Sequence, residues 1–263
     1  KAVQGTESVA IGYVAGELSQ NSLSVAIGSN AGQSYQATQS VAVGDNAGQV
    51  AQNTQSLAIG YQSGQLGQGS KSVAVGYESG QSQQKYNCVT VGFRSGQVSQ
   101  NRESIAIGTQ AGQLSQGQQS IALGTRAGQS NQGISCVAIG VQAGKDGQNA
   151  YSTAVGWGAG EAKQGSYSSA YGFGAAQAIQ GERATAVGYS AGRYAQGARS
   201  VAVGDTCAFS SQGVECVAIG RLAGASNQAE QSVAIGFEAG KTSQGANCVA
   251  IGYTAGNLFQ ARD

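Results

Sequence analysis

The pentapeptide Ser24-Val25-Ala26-Ile27-Gly28 decides the fold because it is one member of a series. Ser8-Val9-Ala10-Ile11-Gly12 precedes it by sixteen residues and Ser40-Val41-Ala42-Val43-Gly44 follows it by sixteen. The glycine recurs with that period from Gly12 to Gly252, without insertion or deletion. Gln20 recurs in step through Gln260, and the Ala10 position is Ala in every repeat except at Thr90. The consensus reads S-V-A-I-G-x-x-A-G-Q-x-x-Q-G-x-x. An unbroken fixed period is the signature of stacked repeats. Inside the pentapeptide small and branched residues alternate with the period of two that a strand requires, and Val and Ile favour the pleated conformation. A second short extended stretch is expected over x-x-A-G-Q, with glycines at the corners. The expected fold is therefore all-β, a parallel β-solenoid of sixteen 16-residue coils, with residues 1–263 as one continuous repeat domain. At ~4.8 Å per coil such a stack would run for roughly 75 Å.

Composition agrees with this architecture and excludes others. Of 263 residues 43 are Gly and none is Pro, Met or His, while aromatics make up 6% and charged residues 10%. Such a chain folds by backbone ladders and small side chains rather than around a bulky core. The formal net charge is +1 with Lys and Arg scattered, so no basic footprint for nucleic acid or an anionic membrane is present. No stretch approaches the ~20 apolar residues of a bilayer span, and membrane insertion is not expected.

Reading the repeat in columns, each named by its first member, separates candidate faces. The branched Val9 and Ile11 columns and the small Ala15 column are expected to point inward, and the polar, variable Val14 and Leu23 columns outward. Alternation then places Ser8, Ala10 and Gly12, with Ala26, Ala42 and Ala58, on an outer face of tiny side chains, an expected assembly face. The amides of Gln20, Gln36, Gln52 and Gln68 are expected to form a ladder at a corner, since stacked amides stabilise stacked strands. Aromatics gather in the Tyr13 column on adjacent coils: Tyr61, Tyr77 and Phe93, then Trp157, Phe173 and Tyr189, then Phe237 and Tyr253. Rings at coil spacing form either a stabilising ladder or a platform for sugar rings.

Other chemistry finds little purchase. Cys88, Cys136, Cys216 and Cys248 share the Ser8 column and Cys207 lies in the Ala15 column. The nearest pair in one column is two coils apart, about 9.6 Å, beyond the reach of a disulfide. Asp45, Asp146, Asp205 and Asp263 belong to no calcium-binding repeat, and without His a transition-metal site and a general base both lack their usual residue. No cofactor, no metal and no catalytic residue is expected, and the chain is read as a non-enzyme. The least regular stretch runs from about Lys145 to Ser211, where Thr153, Ser169 and Thr185 replace Val, Tyr171 replaces Ile, and Ala176 and Ala208 replace Gly.

The pentapeptide followed by x-x-A, as in Ser8 to Gly12 with Ala15, Ser24 to Gly28 with Ala31 and Ser232 to Gly236 with Ala239, is similar to the head repeats of trimeric autotransporter adhesins. It also resembles repeats of some phage and viral fibre proteins. The likeness rests on about six positions per repeat; the strict sixteen-residue period and A-G-Q-x-x-Q distinguish this chain. The resemblance implies a left-handed roll, commonly three chains side by side, exposed outside a cell or virion and used for attachment. The expected function is a structural repeat protein that self-associates into an extracellular filament or fibre. The alternative is an adhesin-type module that binds a glycan or a host surface protein. Neither end departs from the consensus, which adds end-to-end stacking to lateral association as a route of assembly.

Overall fold

The computed structural model describes residues 4–260 and shows an all-β parallel solenoid of 16-residue coils with no helix. Two compact units, Lys1–Asn131 and Gln132–Asp263, divide the chain. In the first, the leading strands of successive coils, from Val9–Ile11 and Val25–Ile27 to Ile121–Leu123, pair in parallel with a register of one repeat. In the second, the series runs from Val137–Ile139 to Val249–Ile251 with the same register. Each residue thus sits over its own equivalent one coil away, which turns sequence columns into physical rows.

The second strand falls later than expected. It covers Ser34–Gln36, Val98–Gln100 or Ser226–Gln228, three residues ending on the column glutamine. The x-x-A-G segment forms the corner instead, because its backbone turns repeatedly into the left-handed region. In the coil beginning at Gly28, φ is 126° at Gly28, 53° at Asn30 and 52° at Gly32. Corner amides still reach neighbouring coils, as Gly32 N–H donates to the Ala47 carbonyl (2.9 Å) and Asn30 N–H to the Tyr13 carbonyl (2.8 Å). Backbone donors are therefore satisfied along the rows as well as in the strands.

The largest correction concerns inside and outside. Ala26, Ala42 and Ala58 are fully buried, as is nearly the whole Ala10 column, and Ser24 and Ser40 are buried with them. Val9 and Ile11 point outward: Ile27, Ile59, Ile107 and Ile219 are 36–38% exposed. The expected outer face of Ser8, Ala10, Gly12, Ala26, Ala42 and Ala58 is therefore turned inward along its Ser8 and Ala10 columns, while the Gly12 column stays half-buried; Ala10 and Gly12 are exposed in the first coil, as is Gly252 in the last. Alternation gives two faces but not their sense. Here the sense is set by the thinness of the coil, whose interior holds Ala from one strand, Ala or Ser from the corner and one glutamine from the other strand. The gap takes nothing larger than Thr90 in the Ala10 column, and the branched Val and Ile side chains lie on the opposite side of the strand beside their equivalents in the neighbouring coils.

Gly12-column glycines have a separate cause for their constancy. A Cβ added at Gly92 would stand 2.6 Å from the Gly108 carbonyl oxygen, so the coils stack too closely there for any side chain. The Gly16 column is less strict. A Cβ at Gly160 meets only the Gln164 amide at 3.0 Å, and Ala176 and Ala208 occupy this column with φ of 47° and 44°. The irregular stretch keeps the register, Thr153 pairing with Ser169 and Ser169 with Thr185. Its one backbone change is that the second strands at Ile179–Gln180 and Ala195–Gln196 are two residues long. Lys163 and Ser211 in that column have φ of 53° and 57°, a conformation that β-branched Ile179 resists and that its partner Ala195 also leaves.

Candidate functional surfaces

The glutamine ladder lies inside the coil rather than on a corner. Gln36, Gln52, Gln68 and Gln100 are among the largest fully buried side chains of the protein. Each amide crosses the coil: Gln52 Nε2 donates to the Val41 carbonyl (2.8 Å) and to Gln68 Oε1 (3.2 Å), and Gln36 Nε2 donates to Gln52 Oε1 (3.1 Å). Gln20 Nε2 donates to the Val9 carbonyl at 2.8 Å. The second unit repeats the pattern from Gln164 through Gln180 to Gln196. A buried amide is costly unless paired, so this row ties the two strands of every coil together and holds neighbouring coils in register. The row is a structural spine with no access to solvent.

A second amide row, not anticipated as a ladder, runs along the outside. Gln49 donates to Gln33 (3.1 Å), Gln65 to Gln49 (2.9 Å), Gln97 to Gln81 (3.1 Å) and Gln113 to Gln97 (2.9 Å). Its donors point toward the N-terminus, opposite to the inner row. The signal was present in the Q of A-G-Q, which recurs from Gln33 to Gln129. In the second unit Glu161, Gln177 and Arg193 continue the chemistry, with Gln177 donating to Glu161 and Arg193 to Gln177, both at 2.8 Å.

The aromatic residues stack as ladders. Tyr61 and Tyr77 lie 5.0 Å apart between centroids, Tyr77 and Phe93 5.3 Å, Trp157 and Phe173 4.6 Å, and Phe173 and Tyr189 5.2 Å, all within 21° of parallel. Stacking directs ring faces at one another and leaves edges for solvent. Arginines occupy terminal faces, Arg94 over Phe93 at 5.1 Å and Arg221 over Phe237 at 5.6 Å. A further pair in the Leu23 column, Tyr151 and Tyr167 at 5.1 Å, carries Arg183 over the Tyr167 ring at 5.9 Å. These contacts stabilise the stack by quadrupole and cation–π attraction.

Charged and sulfur groups add no reactive centre. Among the described residues no three His, Cys, Asp or Glu side chains gather where a metal ion could sit. Cys88, Cys136, Cys207 and Cys216 are buried free thiols. Burial pushes the Cys207 thiol up to about 12, with nearby Asp205 adding to the shift, and burial also raises the Cys88 thiol, so both are held protonated. Glu215 is held below the usual carboxylate range by hydrogen bonds from Gln231 (3.1 Å) and Arg199 (2.9 Å) and by the Arg199 charge, on the exposed surface. Among the described residues no helix is long and apolar enough to cross a membrane.

What remains is the outward face of the leading strands. In each unit it presents two adjacent rows of branched apolar side chains, one from the Val9 column and one from the Ile11 column. Val9-column members such as Val25, Val73 and Val217 are half-buried, and Ile11-column members are somewhat more open. Tyr171, 42% exposed, and Trp157, 42% exposed, extend the apolar surface in the second unit.

Comparison with known families agrees with the repeat. The family model for the YadA head domain repeat matches in two copies, at residues 180–206 and 212–239. The matched coils cover about a fifth of the chain, and the other coils share their period and register. Among curated proteins no sequence matches the chain.

Proposed function

We propose that this chain is a non-enzymatic structural repeat protein of an extracellular surface, on a cell or a virion, whose solenoids associate side by side into a fibre or adhesin head. One observation carries the reading: the outward rows of partly exposed Val and Ile that flank the buried Ala column on the leading strands of each unit. The partner that suits them is a second copy, because only a surface with the same coil spacing meets both rows along a whole unit. Two rows about a third exposed over the coils of one unit amount to an area on the order of the ~800 Å² per partner that stable interfaces bury. The resemblance to adhesin head repeats, which implies several chains in parallel, supports the same arrangement.

Sedimentation of the intact chain at micromolar concentration tests the proposal, with microscopy separating lateral bundles from end-to-end threads. The wild-type chain is expected to form oligomers, and Ile59→Lys with Ile107→Lys is expected to give a folded monomer with an unchanged β-sheet spectrum. A wild-type chain that sediments as a monomer overturns the reading. A second function, attachment to a glycan or host surface protein, is favoured by the half-exposed ring edges of Trp157, Phe173 and Tyr189. That surface would keep its glycan binding in the Lys-substituted monomer and lose it in Trp157→Ala.

A further inference from the structure

A lateral contact between two copies of a 16-residue repeat is degenerate. Sliding one copy by a whole coil again sets Val and Ile against Val and Ile, so an unbroken apolar face specifies contact without specifying level. The first unit offers only that kind of face, since its Val9 column is Val, Leu or Ile from Val9 through Ile121. The second unit does not. Three consecutive coils carry Thr153, Ser169 and Thr185 in this column, between Val137 and Val201. They pair directly with one another, and the same coils place Val155, Tyr171 and Val187 in the neighbouring row. All three are half-buried and point outward, because Ala154, Ala170 and Ala186 beside them are fully buried inside. Their hydroxyls make no hydrogen bond to any other described residue.

We infer that Thr153, Ser169 and Thr185 form a register key that fixes the axial level at which parallel copies of this chain pack. The inference rests on the side-by-side association proposed above. With copies level, hydroxyls meet hydroxyls across the contact and can pair. With copies slipped by one coil, an end hydroxyl meets a Val methyl, and with a slip of three coils all three do. Burying a hydroxyl without a partner is unfavourable, so each slipped level is penalised relative to the aligned one. Single polar residues in the apolar seam of coiled coils select register by the same physics.

Cross-linking tests the key. In a background where Cys88, Cys136, Cys216 and Cys248 are Ser and Cys207 is Ala, one chain carries Val203→Cys and a second, tagged chain carries Ile235→Cys. Both sites lie in the outward Ile11 column, two coils or about 9.6 Å apart along the stack, so level copies cross-link only like to like. Introducing Thr153→Val, Ser169→Val and Thr185→Val is expected to leave oligomers intact, lower the like-to-like yield at least twofold and make the 203–235 cross-link appear. An intact oligomer with unchanged like-to-like yield overturns the key while leaving lateral association standing. A triple variant that dissociates also overturns it, since added methyl groups should strengthen an apolar contact whose hydroxyls serve only alignment. A parent chain that is monomeric by sedimentation removes the association itself, and the key with it.

Discussion

At the scale of single residues, the protein inverts the usual distribution of size. Ala106 and Ile107 are neighbours on one strand, yet the methyl group is fully buried and the branched chain is 38% exposed. The interior between the two strands of a coil has room for a methyl, a corner Ala or Ser and the extended amide of one glutamine. Enlarging the buried position should therefore cost more than charging the outer one. Ala106→Leu forces three extra carbons against Gln116 and Ala111 in a space already filled, and overpacking of this kind typically costs about 1–3 kcal/mol, more where backbone must move. Ile107→Lys removes only contacts along the outer row and leaves its charge in water. Thermal unfolding followed by circular dichroism is expected to show a large drop in midpoint for Ala106→Leu and a small one for Ile107→Lys. Equal drops would mean that the branched row, not the alanine row, is the packing core.

At the scale of the coil, the two glycine columns look alike in sequence and differ in cause. Gly92 must lack a side chain because the next coil's carbonyl lies where its Cβ would be, whereas Gly160 faces a glutamine amide that can shift. Gly92→Ala is therefore expected to lower the guanidinium midpoint far more than Gly160→Ala, whose column already holds Ala176 and Ala208; similar shifts would show that the close approach of the next coil does not keep Gly92 a glycine. The period, the parallel register and the amide ladder were legible in the sequence, because each depends only on recurrence at sixteen. The side of the strand facing inward was not. Alternation of Val9, Ala10 and Ile11 is symmetrical between the two senses, and the deciding quantity is the width of the coil, set by corners in which Asn30, Gln39 and Tyr151 adopt φ between 53° and 60°. Polar and aromatic side chains rarely announce that conformation, so the corner was read as a strand and the second strand was placed several residues early. The expected face of Ala26, Ala42 and Ala58 fails for the same reason, since the alternation that sets it apart from the Val and Ile rows does not say which of the two turns inward.

At the scale of the molecule, the described coils within each unit are bonded to the coils beside them. Hydrogen bonds join residues one repeat apart, as from Gln52 to Gln68 or from Gln180 to Gln196, and aromatic stacks likewise step by single coils. Stability in such a stack is close to a sum of coil terms and nearest-neighbour terms, and damage spreads only as far as those couplings carry it. The inner amide row supplies a test because its members are buried and mutually bonded. Replacing Gln52 by Leu removes the donor to Gln68 Oε1, the acceptor for Gln36 Nε2 and the tie to the Val41 carbonyl, leaving buried polar atoms that each cost on the order of 1–3 kcal/mol. Hydrogen exchange of the Gln52→Leu variant is expected to show lost protection in the coil of Gln52 and in the one or two coils on each side. Peptides from the coils of Gln100 and Gln116 should keep the protection of the wild-type chain. Uniform loss across all peptides would mean instead that the coils unfold as one block, and that their coupling exceeds what contacts between adjacent coils supply.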